Sequence, residues 1–295
     1  MKRALWLVSL LLMFVASTYG QYTFTSIMYP GAVVTHTYGI NNHGDIVGYY
    51  RLPGQGTHAL LISDGKFIPL DPTVLGTTVS AAWKINSRGD IVGAYQGSDG
   101  LAHGFLLRKG VLTTLDFPGA SDTYALGIKE SGTVAGYWDI LDSSGNVLVT
   151  HGFTWDDNTF SQVDYPGSAD TGIEAINARG DFVGFWDTTT SPVGHGFVSS
   201  KGQFISLDVP FAGVTYTQPD DISANGVIVG QYGDASGTHG FIAVGSTFTK
   251  LDYPGAALTS AWGVNSAGQI VGNWGTDGYT SQGFLAQPGK KGKPQ

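Results

Sequence analysis

The sequence contains no cysteine, so the chain can form no disulfide, bind no metal through thiolates and use no thiol nucleophile. Glutamate occurs only at Glu130 and Glu174, and 15 basic residues stand against 23 acidic ones. An acidic chain with few lysines binds polyanions poorly, so nucleic acid is not an expected partner. The abundant glycine, threonine, aspartate and aromatic residues instead favour strands and tight turns.

Long apolar runs are also lacking, except at the N-terminus. Lys2 and Arg3 precede the apolar residues 4–16, and small or polar residues follow to Gly20. This pattern predicts a secretory signal peptide over residues 1–20, although an uncleaved membrane anchor is an alternative. Removing Lys2 and Arg3 changes the formal charge from −8 to about −10. The chain is therefore expected in the periplasm or the medium, with residues 288–295 as a disordered tail rich in Gly, Pro and Lys.

A phrase that recurs six times dominates the rest of the chain. It consists of Ile-Asn-x-x-Gly-x-Ile-Val-Gly, a variable loop, His-Gly-Phe, and Phe-x-x-Leu-Asp-x-Pro-Gly-Ala. Its first residue, called the anchor here, falls at Ile40, Ile85, Ile128, Ile176, Ile222 and Val264. Repeats of 42 to 48 residues suit the four-stranded blade of a propeller. The sequence therefore predicts an all-β fold, a six-bladed β-propeller over residues 21–287.

The strands of each repeat can be placed from the first one. An inner strand ends at Ile40, a second covers Asp45 to Tyr50, a third begins at His58 and a fourth runs from Phe67 to Asp71. The last repeat lacks a fourth strand, and residues 22–30 supply one, so pairing the two chain ends closes the ring. The loops between second and third strands vary in length and share one face with the crossovers between blades. We call this the top face, where a ligand is expected.

A histidine and an aspartate recur thirteen residues apart in five repeats. The pairs are His58 and Asp71, His103 and Asp116, His151 and Asp164, His195 and Asp208, and His239 and Asp252. Constant spacing across a hairpin predicts hydrogen-bonded cross-strand neighbours. In the sixth blade, Gln282 and Met28 replace both partners together. A metal ring is the alternative, but side chains about 10 Å outside the inner strand cannot share one ion. No metal or cofactor is expected.

Two aromatic sets are candidates for ligand contact. The first set lies two residues after the glycine of the second strand in every repeat. Its members are Tyr50, Tyr95, Trp138, Trp186, Tyr232 and Trp274. Such rings can stack on sugars, but their presence in all six blades favours packing between blades. Trp138, Trp186 and Trp274 nevertheless remain candidate ligand contacts.

The second set lies two residues before each anchor, at the predicted top rim of the central channel. There Tyr38, Trp83 and Trp262 face an acidic arc of Glu174, Asp220 and the adjacent Asp221. This arrangement resembles a carbohydrate cleft, in which two carboxylates about 5–9 Å apart can act as acid and base or as nucleophile and acid. The alternative is an ordinary polar rim with solvated acids.

The repeat resembles the bacterial extracellular HAF repeat family. The matching residues are the His-Gly-Phe triplets at His103, His151, His195 and His239, the variant His58-Ala59-Leu60, and the Ile-Asn and Ile-Val-Gly phrases. The resemblance covers nearly all of the mature chain and implies an exported repeat protein, but it brings no catalytic residues. Six-bladed sialidases are a distant comparison, because their Ser-x-Asp-x-Gly-x-x-Trp box is absent.

The leading hypothesis is a non-catalytic, monomeric binding protein that takes a carbohydrate or a protein at its top face. A polysaccharide hydrolase or lyase using Glu174, Asp220 and Asp221 is the second hypothesis. A structural module of a surface assembly is the third. Because propellers host all three, the fold does not choose among them.

Overall fold

The structure is a computed structural model that describes residues 18–19, 22–70, 79–188, 191–276 and 281–289. Most of the predicted signal peptide, Asp71 and residues 290–295 of the predicted tail lie outside these ranges. The described residues contain no helix that is long and apolar enough to cross a membrane.

Within these ranges the chain forms strands arranged in six antiparallel sheets. Blade one contains β3 to β6 (Val34–Ile40, Ile46–Arg51, Thr57–Ser63, Lys66–Pro69), and blade two contains β7 to β10 (Ser80–Ile85, Ile91–Gln96, Ala102–Arg108, Val111–Leu115). Blade three contains β11 to β14 (Asp122–Ile128, Val134–Leu141, Val147–Asp156, Thr159–Val163), and blade four contains β15 to β18 (Asp170–Ile176, Phe182–Thr188, Ser191–Ser200, Gln203–Ser206). Blade five contains β19 to β22 (Tyr216–Ile222, Val227–Asp234, Gly237–Val244, Thr247–Leu251), and blade six contains β23 to β25 (Leu258–Val264, Ile270–Gly275, Gln282–Pro288).

The two chain ends complete blade six, as the sequence predicts. Strand β2 (Tyr22–Ile27) pairs antiparallel with β25, from Tyr22 opposite Pro288 to Ile27 opposite Gly283. The two-residue strand β1 (Thr18–Tyr19) pairs outside it. The all-β six-bladed propeller is therefore confirmed, with its ring closed by hydrogen bonds between residues far apart in sequence.

The glycine of the Ile-Val-Gly phrase is required by the close approach of the first two strands of a blade. A Cβ atom added to Gly136 or Gly184 would lie 1.9 Å from the carbonyl oxygen of the facing inner strand. Every repeat keeps this glycine because any side chain there would collide with backbone. The phenylalanine of the His-Gly-Phe triplet fills the core, and Phe105, Phe153 and Phe197 have no exposed surface. Burying a ring of this size contributes about 1.5–3 kcal/mol.

Every inner strand carries a β-bulge at the same place. The register against the second strand skips one residue between Thr37 and Gly39 in blade one, and at the equivalent point in the other five. The unpaired bulge residues are Tyr38, Trp83, Leu126, Glu174, Asp220 and Trp262, which are the six residues predicted at the channel rim. A bulge redirects a side chain, so it determines what lines the channel.

At the opposite face, which we call the bottom, the turns between first and second strands are joined by asparagine side chains. Asn41 accepts hydrogen bonds from the backbone N–H groups of His43 and Asp45, and its Nδ2 donates to the carbonyl oxygen of Asn86 in the next blade at 3.2 Å. Asn86 and Asn177 repeat the pattern, and Asn265 donates to the carbonyl oxygen of Asn41 at 3.0 Å across the closure. These amides connect neighbouring blades around the channel.

Candidate functional site

A buried ion pair crosses the propeller axis. Lys84 of blade two and Asp221 of blade five occupy the position after the bulge, and their Nζ and Oδ2 atoms are 3.9 Å apart. Glycine or alanine occupies this position in the other four blades, as Gly39, Gly127, Ala175 and Gly263. Because blades two and five face each other in a six-membered ring, the two long side chains meet where the others leave room. Sequence analysis missed Lys84, although a lysine at a position that holds glycine in three other repeats was a visible signal.

Backbone groups complete the surroundings of this pair. Lys84 Nζ donates to the carbonyl oxygens of Trp262 at 2.6 Å and Tyr38 at 3.2 Å. Asp221 accepts from the backbone N–H groups of Val264 and Ile222. The pair also lines the inner end of a bottom cavity of about 100 Å³ that the anchors and the asparagine turns surround. The axis is therefore blocked by a satisfied ion pair rather than left as an open tunnel.

The acidic and aromatic arcs come together as predicted at the upper part of the channel, but Tyr38 and the acidic side chains are buried there rather than solvated. Glu174 is 6% exposed, Asp220 is 1% exposed and Tyr38 is 6% exposed. Tyr38 stacks on Trp83 with ring centroids 4.2 Å apart and meets Trp262 edge-on at 5.0 Å. Trp83 and Trp262 are half-buried, and Trp83 also lines a cavity that opens at the top face.

Burial changes the acidity of these carboxyl groups. It raises the pKa of Glu174 to about 7, against the opposing charge of Lys84. Burial, and then the charge of Glu174, raise the pKa of Asp220 well above its usual range. Gln218 Nε2 donates to Glu174 at 3.2 Å, whereas neither oxygen of Asp220 has a hydrogen bond of ordinary geometry among the described residues. Burial thus disfavours the charged form of both carboxyl groups and leaves them little exposed surface, which weakens the hydrolase hypothesis.

The histidine and aspartate side chains meet in four blades. Histidine Nδ1 lies 2.9 Å from the carboxylate in His103 and Asp116, 3.0 Å in His151 and Asp164, 3.1 Å in His195 and Asp208, and 3.2 Å in His239 and Asp252. In blade one, His58 Nε2 lies 3.2 Å from Gln55 Oε1, and Asp71 is outside the described residues.

Blade six replaces the histidine pair with a different cross-strand bond. Ser26 Oγ on β2 donates to Gln282 Oε1 at 2.8 Å. Met28 has no part in it, so the histidine and aspartate pair is absent from this blade as predicted, and a bond that the sequence did not indicate replaces it. The two chain ends are joined here by a serine placed two residues before the aspartate position.

The three candidate tryptophans of the second strands pack between blades. Trp138 lies between Phe117 and His151, with centroids at 4.5 and 4.7 Å. Trp186 lies between Tyr165 and His195 at 4.2 and 4.8 Å, and Trp274 stacks on Tyr253 at 4.0 Å. The first ring of each stack comes from the crossover that enters the blade. Both faces of Trp138 and Trp186 are therefore occupied, which corrects their assignment as ligand contacts.

Blade two breaks this pattern at Tyr95. The ring of Tyr95 stacks on His103 at 5.4 Å, and no crossover ring among the described residues stacks on it. Crossover rings stack on the second-strand residue in blades one, three, four and six, whereas in blade five Phe211 meets Tyr232 edge-on at 5.4 Å. Tyr95 instead lines a top-face cavity of about 300 Å³. Trp83 and Tyr124 form further walls, and Thr57, Ser80, Gln96 and Asp122 contribute polar groups. We call this the blade-two cavity.

The chain matches no family model and no curated protein. Among solved structures it resembles the lectin of Aleuria aurantia, described as a six-bladed β-propeller with a novel fucose recognition mode, at 13% identity and a TM-score of 0.52. That match covers 88% of this chain and 95% of the lectin chain. A variant of the lectin in complex with Fucα1-6GlcNAc matches at 12% identity and a TM-score of 0.53, over 88% of this chain and 97% of the other. At these identities the likeness shows the propeller fold.

Proposed function

We propose that this protein is an exported carbohydrate-binding propeller whose site is the blade-two cavity. The observation that carries the proposal is Tyr95, whose ring stacks on His103 at 5.4 Å and which lines a cavity with Trp83 and Tyr124 as further aromatic walls. A cavity of about 300 Å³ with aromatic walls and a few polar groups is of the size and character that small ligands occupy.

The chemistry of the walls suits a sugar ring. The faces of Trp83, Tyr95 and Tyr124 can pack against the C–H face of a pyranose, while nearby polar groups contact its hydroxyls. The fucose-binding Aleuria lectin supports the proposal, since it shows that a propeller of this kind can present sugar sites. Export through the N-terminal signal and membership of the HAF repeat family belong to the same proposal.

Titration of saccharides into the Tyr95→Ala variant tests this function. Glycan-array screening of residues 21–295 selects a saccharide, and calorimetry then measures its Kd. Loss of the stacking surface is expected to weaken binding at least about tenfold. Tyr216→Ala is the matched control, because Tyr216 is a partly buried top-face tyrosine of blade five outside the cavity, with its hydroxyl 3.2 Å from Thr238 Oγ1. The proposal fails if no saccharide binds, or if both variants bind like the parent.

A further inference from the structure

The top face carries most of the excess negative charge of the described chain. Basic residues at the top ends of the strands are Arg51 and Lys250. The acidic residues there are Asp99, Asp116, Asp122, Asp139, Asp142, Asp164, Asp170, Asp187, Asp208, Asp234 and Asp252. A face with this imbalance attracts cations and repels anions before any contact forms.

Asp122 brings this charge into the blade-two cavity. Its Oδ1 accepts a hydrogen bond from the backbone N–H of Ala102 at 2.7 Å, which fixes the carboxylate in the wall. Its Oδ2 has a long contact, 3.5 Å, with the hydroxyl of Tyr124. One oxygen thus anchors the side chain, and the other is available to a ligand.

The surroundings of Asp122 strengthen its negative potential. Asp139 is its direct cross-strand neighbour, and burial together with the charge of Asp122 raises the pKa of Asp139. Burial, with the charges of both aspartates, also raises the pKa of Tyr124 to about 12. Arg51 lies opposite the cavity residue Thr57 in the register of β4 and β5, and Lys84, which follows Trp83, is turned to Asp221 in the channel. No basic residue is among the cavity's described lining residues.

We propose that the blade-two cavity selects a glycan bearing a protonated amine, such as an oligomer of glucosamine. The carboxylate of Asp122 would receive a charge-assisted hydrogen bond from the ammonium group, and the faces of Trp83, Tyr95 and Tyr124 would add cation–π attraction. The same groups repel an acidic glycan. A neutral glycan gains neither the charge-assisted hydrogen bond nor the cation–π attraction. This inference rests on the proposed carbohydrate function and specifies its ligand class.

Calorimetric titration with three oligosaccharide series of equal length tests the proposal: glucosamine, N-acetylglucosamine and galacturonic acid. At low salt and pH 6 glucosamine oligomers are expected to bind at least about tenfold more tightly than the acetylated series, the scale of one charged hydrogen bond. The uronic acid series is expected to bind weakest. The advantage of glucosamine should shrink with added salt, because screening weakens exposed charge pairs.

Two matched variants assign the effect to one carboxylate. Asp122→Asn should remove the preference for glucosamine, so that glucosamine oligomers bind about as tightly as acetylated ones. Asp170→Asn is the control, because Asp170 holds the same position in blade four and accepts an equivalent bond from Thr150 N at 2.7 Å, outside the cavity. Equal losses in both variants would overturn the role given to Asp122.

The results also separate this inference from the function on which it rests. If acetylated oligomers bind as tightly as glucosamine oligomers and Tyr95→Ala abolishes that binding, the ligand class is wrong and the carbohydrate function stands. If no series binds, the carbohydrate function itself is wrong, and the inference falls with it.

Discussion

The bottom and top faces of this propeller are built on opposite principles. At the bottom, every turn between first and second strands has the same length, and asparagine amides join neighbouring blades. At the top, the loops between second and third strands differ in length from blade to blade. Charge differs as well: Lys66, Arg88, Arg108, Lys109, Lys129, Arg179 and Lys201 balance seven acidic residues at the bottom, whereas the top is strongly acidic.

This difference indicates which face tolerates changes in sequence and loop length. A bottom turn is held by its own backbone, its asparagine and the next blade, so a change there disturbs two blades at once. A top loop contacts less, and can change length or chemistry without opening the ring. We therefore expect stability to depend on the bottom and the axis, and binding to depend on the top.

The largest effect is expected from Asn265→Ala at the bottom. The amide of Asn265 accepts from the backbone N–H groups of Ala267 and Gln269 and donates to the carbonyl oxygen of Asn41 across the ring closure. Its Nδ2 also donates to Gln269 Oε1 at 2.7 Å. Losing these four bonds and leaving partly buried partners unsatisfied should lower the free energy of unfolding by about 4 kcal/mol.

The matched top-face variant is Asn146→Ala. The side chain of Asn146 is exposed and donates only to Asp142 within its own loop. Its effect should stay within about 0.5 kcal/mol, as for most surface changes. Denaturant titration measures the free energy of unfolding of both variants. Similar losses of stability in the two would contradict the proposal that the bottom face stabilises the fold more than the top face.

The next effect concerns the axis and depends on pH. Because burial raises the pKa of Glu174 from 4.5 to about 7, the folded chain holds a proton that the unfolded chain releases between these values. Stability should therefore fall as the pH rises from 4.5 to 7 and change little from this group above that. The difference between these two pKa values corresponds to a loss of about 3 kcal/mol in the free energy of unfolding.

Glu174→Gln isolates this contribution, because glutamine keeps the size of the side chain and cannot titrate. The variant should match the parent near pH 4 and be more stable by up to about 3 kcal/mol at pH 8. Urea unfolding measured from pH 4 to pH 8 is the test. Parallel pH dependence in the two proteins would show that Glu174 does not retain its proton in the folded state.

The smallest effect is expected from His103→Gln on the top face. It removes the bonds of the imidazole to the half-exposed Asp116 and Asp99, so the cost should be about 1 kcal/mol. His43→Gln makes the same exchange in an exposed bottom turn and should leave the melting temperature unchanged. Thermal unfolding of both variants checks this, and equal melting temperatures would mean that the histidine pairs do not stabilise the blades.

The repeat pattern was enough to predict the propeller, its blade boundaries and its closure, because a strict period leaves few arrangements that bury every strand. The same period predicted the histidine and aspartate register in blades two to five. The period was less informative at blade six, where Ser26 rather than Met28 bonds Gln282. The N-terminal strand that supplies Ser26 lies outside the repeats, so the period does not predict its contacts.

The candidate site was predicted only in part. Glu174, Asp220, Tyr38, Trp83 and Trp262 do converge, but the bulge that buries the two acids is a feature of backbone hydrogen bonding that residue types do not reveal. Tyr95 was grouped with five equivalent residues, and its place in the lining of a cavity became visible only in the structure.

The sequence by itself determined the number of blades, the strand order within each blade and the lack of disulfides, because periodicity and composition act locally and repeat six times. Only the tertiary structure decided which side chains meet across the axis and which ring faces a cavity. Lys84 and Asp221 are 137 residues apart in the chain, yet ring closure brings their charged atoms to within 3.9 Å. That encounter depends on the curvature of the whole ring, which no single repeat encodes.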